Sequence, residues 1–315
     1  MDSEALLTFV TIHQAGGFSG AAEILGRSQP AISRRIALLE DTLRVPVFER
    51  ASGGVVLSEA GRALLPHAER VLAALRDAES AIAALRTKAA GRVALAAVGT
   101  LAGTNLTGVL KRFAADHPSV ELAISTANSA GVSDRVRRGE AMIGLRYLAD
   151  LSPDLVCRQI AAEALVVACA PSHPRAGRRI ATFTSLAGER WFAFPNSYER
   201  RATFADNIFA QFEARGIGTI AWMPVDSLNA MKRLVEAGFG MALLPASAIA
   251  DERRRGSLAV IAVADLKAAN PVHTVVRRDG YLSPAAQDLI KLLAATPDLA
   301  GQSGMARGGR RKGRN

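Results

Sequence analysis

The sequence predicts an α/β protein preceded by a small helical domain. Its 315 residues exceed one typical core, which gives an expectation of about two or three domains. Apolar residues recur at helical spacing through residues 5–43, whereas from Arg92 onward apolar runs alternate with helical patterns. The two parts are therefore expected to fold around separate cores.

The net charge of +10 is unevenly distributed along the chain. Residues 1–90 carry ten basic and ten acidic side chains, whereas residues 301–315 carry five basic and no acidic ones. Charge alone therefore does not predict a nucleic-acid partner for the N-terminal part. The tail has the composition of a disordered segment, which either adds sequence-independent attraction to phosphates or is simply a solvated end.

Hydropathy and cysteine content bound the class of protein further. No segment approaches about 18 consecutive apolar residues, and the N-terminus lacks the basic start of a secretory signal. We expect a cytoplasmic protein with no membrane partner. Cys157 and Cys169 lack a metal-ligand spacing and are interpreted as ordinary buried thiols, with a redox pair as the alternative. No cofactor or metal is expected.

Three short helices are predicted at the N-terminus. Glycines at positions 16 and 17 end the first helix, Ser19 is expected to cap the second, and Gly26 breaks it. Ser28 is the expected N-cap of the third, and Pro30 falls in its first turn, where a missing N–H costs nothing. A stripe at spacings of 4, 3 and 4 predicts the buried face of the third helix: Ile32, Ile36, Leu39 and Leu43.

The face opposite that stripe is polar and short, with Pro30, Ser33, Arg34 and Ala37 on it. A helix entering the DNA major groove needs such a face, because large side chains would keep the helix away from the bases. An arginine can form two hydrogen bonds with a guanine, and an amide such as that of Gln29 can form two with an adenine. The arrangement is typical of a helix-turn-helix. The alternative is the solvated face of an ordinary helical bundle.

The stretch GGFSGAAEILGRSQPAISRRIALLEDTLRVPVFER, followed by VVLSEAGRALL, resembles the N-terminal domain of the LysR-type transcriptional regulators. The resemblance implies a winged helix-turn-helix at residues 1–58 that binds a double-stranded DNA operator. Its implied DNA contacts are Arg27, Ser28, Gln29, Pro30, Ser33, Arg34 and, beside the backbone at a hairpin of Gly53 and Gly54, Arg50. The hairpin tip ASGG lacks the basic residue common in the family, so few phosphate contacts are expected there.

A long helix is predicted beyond Ser58, its expected cap, over residues 59–90. Its apolar positions alternate at 4 and 3 as in a heptad seam: Leu64, Ala68, Val71, Leu75, Ala78, Ile82 and Leu85. We interpret the helix as a dimerisation linker, with Leu64, Val71, Leu75 and Ile82 as the contact residues. A single helix lying on its own domain is the alternative.

Residues 91–300 are expected to form an α/β domain with mainly parallel sheets. Strands are predicted in VALAAVG, VELAIST, AMIGLRYL, ALVVACAP, WFAF, residues 219–225, GMALLP, LAVIAV and VHTVV, and helices at 105–116, 200–215 and 227–237. The family resemblance implies two lobes like those of a periplasmic solute-binding protein, lobe I at about 91–162 and 267–300 and lobe II at about 163–266. Strands near 161–168 and 262–268 are expected to cross between the lobes.

The effector site is predicted where strands end, because ligands of α/β proteins settle beyond the carboxyl ends of strands and beside helix N-termini. The candidates are Thr100, Ser129, Arg146, Ser197, Tyr198 and Ser227. Helix caps and a surface ion pair are the alternative roles. The resemblance implies a small organic acid, so a carboxylate effector held by Arg146 or Thr100 is expected.

Two other functions are weighed against a regulator. The five histidines are far apart, and the chain contains neither a GxSxG nor a Walker-type GxxxxGK[ST] motif, so an enzyme is not expected. The second alternative, a stand-alone solute-binding protein, would need a signal for export, and neither the N-terminal sequence nor the predicted reading helix fits it. We therefore predict a homodimeric or homotetrameric DNA-binding regulator controlled by an effector.

Overall fold

The computed structural model describes residues 1–51, 54–86, 91–194, 210–266 and 268–296. Three helices open the chain: α1 (Ser3–Ala15), α2 (Phe18–Leu25) and α3 (Gln29–Leu43). They enclose a core that includes Phe9 and Ala21 and the α3 stripe of Ile32, Ile36 and Leu39, with Leu43 partly buried. The predicted buried face of α3 is thus confirmed.

Local signals decide where these helices begin and end. Gly16 ends α1 and Gly26 ends α2, both with the left-handed backbone (φ 70° and 61°) that glycine adopts at little cost. The predicted cap Ser19 is wrong, because α2 begins at Phe18 after Gly17 and encloses Ser19 in its first turn. Pro30 lies in the first turn of α3, as predicted.

A β-hairpin follows the three helices. Strands β1 (Phe48–Ala51) and β2 (Gly54–Leu57) pair antiparallel. The Glu40 carboxylate of α3 accepts hydrogen bonds from the Val47 and Phe48 amides at 2.7 and 3.3 Å. The end of α3 therefore fixes the position at which the hairpin starts, which gives the helical unit its wing.

Helix α4 (Glu59–Arg86) leads away from the wing. Ser58 caps it as predicted, because its hydroxyl accepts from the Gly61 amide at 3.0 Å and donates to the Pro46 carbonyl at 2.6 Å. A Cβ on Gly61 would lie 2.1 Å from the Val47 carbonyl oxygen, so only glycine allows this approach. The start of α4 is thereby packed onto the winged unit.

The first half of the α/β domain is a sheet in the order β4 (Glu121–Ala127), β3 (Arg92–Val98), β5 (Ile143–Tyr147), β12 (Ala269–Arg277) and β6 (Leu155–Cys169). A 3-10 turn at Gly99–Gly103 follows β3, and three helices cover the sheet: α5 (Leu106–Asp116), α6 (Ser129–Arg137) and α9 (Pro284–Ala294). Their apolar faces share one core with the strands.

The second half continues from β6 through β10 (Met241–Pro245), β8 (Trp191–Ala193) and β9 (Trp222–Pro224). Strand β11 (Ala259–Val263) pairs with both β6 and the short β7 (Arg179–Ile180). Helix α7 (Leu228–Glu236) precedes β10, and a 3-10 turn at Ser247–Ile249 and helix α8 (Ala250–Arg255) follow it. Two cores lie on the faces of this half.

The sheets are mixed rather than mainly parallel. Strand β6 runs antiparallel to β10, β11 and β12, and β12 also runs antiparallel to β5. The strand expected at 164–171 begins nine residues earlier, at Leu155. The first part of this strand, β6, pairs with β12, whereas Leu165–Cys169 pair with strands of the second half. This long strand therefore belongs to both halves.

Of the predicted helix at 200–215, residues 210–213 are helical and 200–209 lie outside the described residues.

Candidate DNA-binding and effector sites

The N-terminal half of α3 presents polar side chains to solvent. Ser28 takes the N-cap position with an extended backbone, and its hydroxyl makes no capping hydrogen bond. The amide nitrogen of Gln29 donates to the Ser33 hydroxyl at 3.2 Å, which orients both groups on the same face. Among the predicted contact residues, Ser33 is half-buried. Five others are exposed: Arg27, Ser28, Gln29, Pro30 and Arg34.

Two successive arginines of α3 have different surroundings. Arg35 forms an ion pair with Glu4 of α1 at 2.6 Å, so it fastens the two helices together. Arg34 is exposed one position earlier, on the polar face. Arg50 lies in β1 with its backbone opposite Val55, and its side chain is outside the described part of the chain.

Helix α4 divides its apolar residues between two environments. Leu64 and Ala68 pack against the core of the winged unit, and Leu72 and Ala73 are also buried. Leu64 therefore contributes to the core of its own domain, and its place in a dimer seam stays a prediction. Three other apolar residues of α4 remain accessible in the single chain, by 46%, 44% and 58%: Val71, Leu75 and Ile82. We call these three residues the α4 stripe.

A second set of contacts joins α4 to the first half of the α/β domain. The Asp77 carboxylate accepts from Arg277 at 2.5 Å and from the Tyr281 amide at 3.1 Å. Arg76 donates to the Arg138 carbonyl oxygen just after α6. The linker helix is thus anchored to the end of β12 and to α6 by charged groups that are largely shielded from water.

Thr100 belongs to a buried set of side chains between the two halves. Its hydroxyl donates to the Tyr147 hydroxyl at 3.0 Å, and Tyr147 in turn donates to one oxygen of the Glu163 carboxylate. Ser247, on the turn that follows β10, donates to the other oxygen. We call Thr100, Tyr147 and Ser247 the hydroxyl cluster. Glu163 lies at its centre on β6 and is fully buried.

Burial changes the acidity of this group of residues. Loss of hydration raises the pKa of Glu163, while hydrogen bonds from Ser247 and Tyr147 act in the opposite direction. Burial, and then the neighbouring Glu163 charge, raise the pKa of Tyr147. Sequence reasoning found Thr100 but missed Tyr147, Glu163 and Ser247. An acidic residue inside the apolar run AAEALVVA was the available signal for Glu163.

Arg146 does not join the hydroxyl cluster. It is inside β5, is 4% exposed, and forms an ion pair with Asp150 at 2.9 Å while donating to Ser133 of α6. Arg137 of α6 contacts the same Asp150 at 3.0 Å. Burial opposes ionisation of Asp150, but hydrogen bonds from Ser152 and Ser133 and the charge of Arg137 hold its pKa well below its usual range. Its guanidinium takes part in this internal ion pair, and the expected role of Arg146 as an effector ligand stays a prediction.

The remaining effector candidates lie at helix starts or outside the described chain. Asn128, not Ser129, caps α6, accepting from the Gly131 amide at 2.8 Å, and Ser129 is half-buried next to it. Ser227 is exposed and caps α7 through the Ala230 amide at 3.3 Å. The predicted residues Ser197 and Tyr198 lie outside the described residues.

The two thiols cannot form the redox pair considered above. Cys157 and Cys169 both lie on β6, and twelve residues of extended strand span about 40 Å. Burial, and then Glu189, raise the pKa of Cys169 to about 11, so that thiol stays protonated.

Within the described ranges no group of three His, Cys, Asp or Glu side chains is placed to hold a metal ion. None of the helices in those ranges combines the length and the apolar character that a membrane span requires.

An exposed polar helix in a winged helix-turn-helix, joined through a long helix to an α/β domain of two halves, defines a DNA-binding regulator with a sensor domain. Family models agree with both parts. The model of the bacterial regulatory helix-turn-helix protein of the lysR family matches residues 3–62, and that of the LysR substrate binding domain matches residues 86–297. The chain belongs to the LysR family of transcriptional regulators, which are not enzymes.

Curated relatives and solved structures are similar over nearly the whole chain. CbbR of Rhodospirillum rubrum is 29% identical over 88% of this chain and 91% of its own, and TfdS of Cupriavidus pinatubonensis is 30% identical over 86% and 91%. The crystal structure of CbnR has a TM-score of 0.66 at 23% identity, covering 93% of this chain and 98% of CbnR. Full-length CbnR complexed with its target DNA has a TM-score of 0.64 at 24% identity, covering 93% and 99%. These structures support the fold.

Proposed function

We propose that this regulator reads a specific operator with α3 as a homodimer or homotetramer, and that a small carboxylic acid bound between the two halves of its α/β domain changes this binding. The observation that carries the DNA-reading part is the exposed polar face of α3, directly opposite its buried stripe. Such a helix is free to enter a major groove without disturbing the core that holds it.

The side chains of that face have distinct roles in the proposal. Arg34 forks onto a guanine, and Gln29, oriented by its hydrogen bond to Ser33, contacts an adenine or the neighbouring base. Arg27 and Ser28 at the helix start and Arg50 in the wing contact phosphates. Phosphate contacts position the helix, and base contacts give the specificity.

Dimerisation brings two such helices onto one operator. The α4 stripe supports this step, because Val71, Leu75 and Ile82 lie at helical spacing and remain about half exposed in the single chain. A two-fold dimer places two reading helices on successive half-sites of DNA. We assign residues 1–58 to DNA binding, 59–90 to the linker and 91–300 to effector binding, with 301–315 as a basic tail and the cytoplasm as the place of action.

The hydroxyl cluster supports a carboxylate as the effector group. Thr100, Tyr147 and Ser247 lie between the two halves; Tyr147 and Ser247 donate to one carboxylate, that of Glu163, and Thr100 donates to Tyr147. Hydroxyl groups without a cation suit a carboxylate better than a more highly charged phosphate. Ser129 lies at a helix start on the first half and Ser227 at one on the second, and we assign both to contacts with the rest of such a ligand.

Selection of bound duplexes from a random library by the full-length protein tests the DNA-reading function. We expect enrichment of a two-fold symmetric site with half-sites about one helical turn apart. Recovery of unrelated sequences at equal affinity would contradict sequence-specific reading.

Calorimetry of the full-length protein with a panel of small aliphatic and aromatic acids, each paired with its neutral amide, tests the effector class. We expect an acid to bind and its amide to fail, and the acid to change the affinity for the selected duplex. Equal binding of acid and amide would contradict the carboxylate proposal. Thr100→Val should weaken the acid by about tenfold, because it removes one hydroxyl of nearly the same volume.

A further inference from the structure

Glu163 connects the two halves of the α/β domain through both of its carboxylate oxygens. One oxygen accepts from Tyr147 on β5 of the first half, and the other accepts from Ser247 on the turn after β10 of the second half. Glu163 itself lies on β6, opposite Asn270, where that strand passes from one half to the other. A single side chain therefore contacts both halves and the strand that joins them.

The surroundings of Glu163 are unusual for an acidic residue. It is 0% exposed, and in the part of the chain that the structure describes no lysine, arginine or histidine forms an ion pair with it. A buried carboxylate is costly unless hydrogen bonds replace its hydration. The donors from Tyr147 and Ser247 provide that replacement only while the two halves stay together.

The count of donor protons shows what Glu163 prevents. A hydroxyl group has one proton to donate. Ser247 and Tyr147 give theirs to Glu163, and Thr100 gives its proton to Tyr147. All three donors of the hydroxyl cluster are thus used for Glu163, directly or through one neighbour. A second carboxylate can be bound by these hydroxyls only after Glu163 has released them.

We propose that Glu163 is an internal ligand of the hydroxyl cluster, which holds the two halves together in the absence of effector and competes with the carboxylate of the effector for the same donors. The competition with the effector rests on the proposed function above. The internal contact itself does not, and it can be tested without knowing the effector.

The test uses Glu163→Ala in the full-length protein, with acetate as the probe. The substitution removes a CH₂–carboxylate unit, which acetate replaces in size and charge. Hydrogen exchange of residues 99–103 and 247–249 should become at least about tenfold faster in the variant, since the connection between the halves is lost. Acetate should restore slow exchange and raise the Tm of the variant, whereas wild type should not respond, because Glu163 already fills the cluster. Sodium chloride at equal ionic strength is the control.

Two results would overturn the proposal. One is unchanged exchange of both segments in Glu163→Ala, which would mean that Glu163 does not hold the halves together. The other is an equal response of wild type and variant to acetate, which would mean that the cluster was not the site of binding.

Glu163→Gln and Ser247→Ala keep the proposal testable if the alanine variant does not fold. Glutamine retains the size but replaces one acceptor with a donor, and Ser247→Ala removes only the contact from the second half. Both should speed exchange of residues 99–103 and 247–249 less than Glu163→Ala does, and no acceleration in either would also refute the internal contact. Failure of every acid to alter operator binding by wild type would instead refute the proposed effector class, so the two failures are distinguishable.

Discussion

The α4 stripe gives the sharpest test of assembly, through the substitution Leu75→Arg. Val71, Leu75 and Ile82 keep roughly half of their surface accessible in the single chain. Complete burial of such a side chain is worth about 1.5–3 kcal/mol, so covering the remaining half contributes about 1 kcal/mol each. For the six side chains of a dimer this amounts to about 6 kcal/mol. Leu75→Arg removes about 2 kcal/mol of it and also brings two like charges into the contact.

Sedimentation equilibrium measures the effect as a dissociation constant. A loss of about 2 kcal/mol raises the dimer dissociation constant by about 30-fold, and the added charges raise it further. The matched control is Ala83→Arg, which adds the same side chain at an exposed position of the same helix, about 80° around the helix axis from Leu75. An unchanged dimer in Leu75→Arg, or equal weakening by both arginines, would refute the assignment of the stripe to dimerisation.

Three further substitutions test contacts inside the chain. Burial raises the pKa of Glu163, so the stability that this residue contributes is present below the ordinary carboxyl range and is lost as pH rises through the raised pKa. The Tm of Glu163→Gln minus that of wild type should therefore be higher at about pH 8 than at about pH 5. Asp77→Asn removes the charge that Arg277 contacts and should lower the free energy of unfolding in urea by about 1–2 kcal/mol. Gly61→Ala places a methyl group against the Val47 carbonyl and should cost about 1–3 kcal/mol in the same assay.

Matched controls separate these effects from general damage. Asp279→Asn removes an exposed carboxylate near the same turn, and Gly188→Ala adds a methyl group where no atom lies within 4 Å. Both controls should stay within about 0.5 kcal/mol of wild type. A control that loses as much stability as its partner would contradict the contact that the partner tests. Equal Tm differences for Glu163→Gln at the two pH values would contradict the buried, ionisable state of Glu163.

Local signals were sufficient to predict the reading helix. The apolar period of Ile32, Ile36 and Leu39, the proline in the first turn and the glycine before it act within one or two turns of helix, and all are confirmed. Ser58 as the cap of α4 was predictable for the same reason. Ser19 was not, because glycine at position 17 already starts α2 and a capping residue acts only at the position just before a helix.

Long-range contacts explain the errors in the effector domain. Successive residues of a strand point to opposite faces, so Arg146 and Tyr147 enter different environments, and the sequence does not say which face is the inner one. Glu163 and Ser247 are 84 residues apart, and only the crossing of β6 between the halves brings them together. The strand-end rule therefore located Thr100, whereas the polar residue inside the apolar strand β6 was the additional signal needed to find Glu163.

Specific reading of DNA by α3 is tested most directly by the affinity of Arg34→Ala for the selected duplex and for a scrambled duplex at one salt concentration. Loss of a bidentate contact to guanine should cost about 1–3 kcal/mol on the selected duplex and leave the scrambled one nearly unchanged. Arg112→Ala, an exposed arginine of α5, should change neither affinity. Equal weakening on both duplexes would reduce Arg34 to a phosphate contact, and no change on either would contradict α3 as the reading helix.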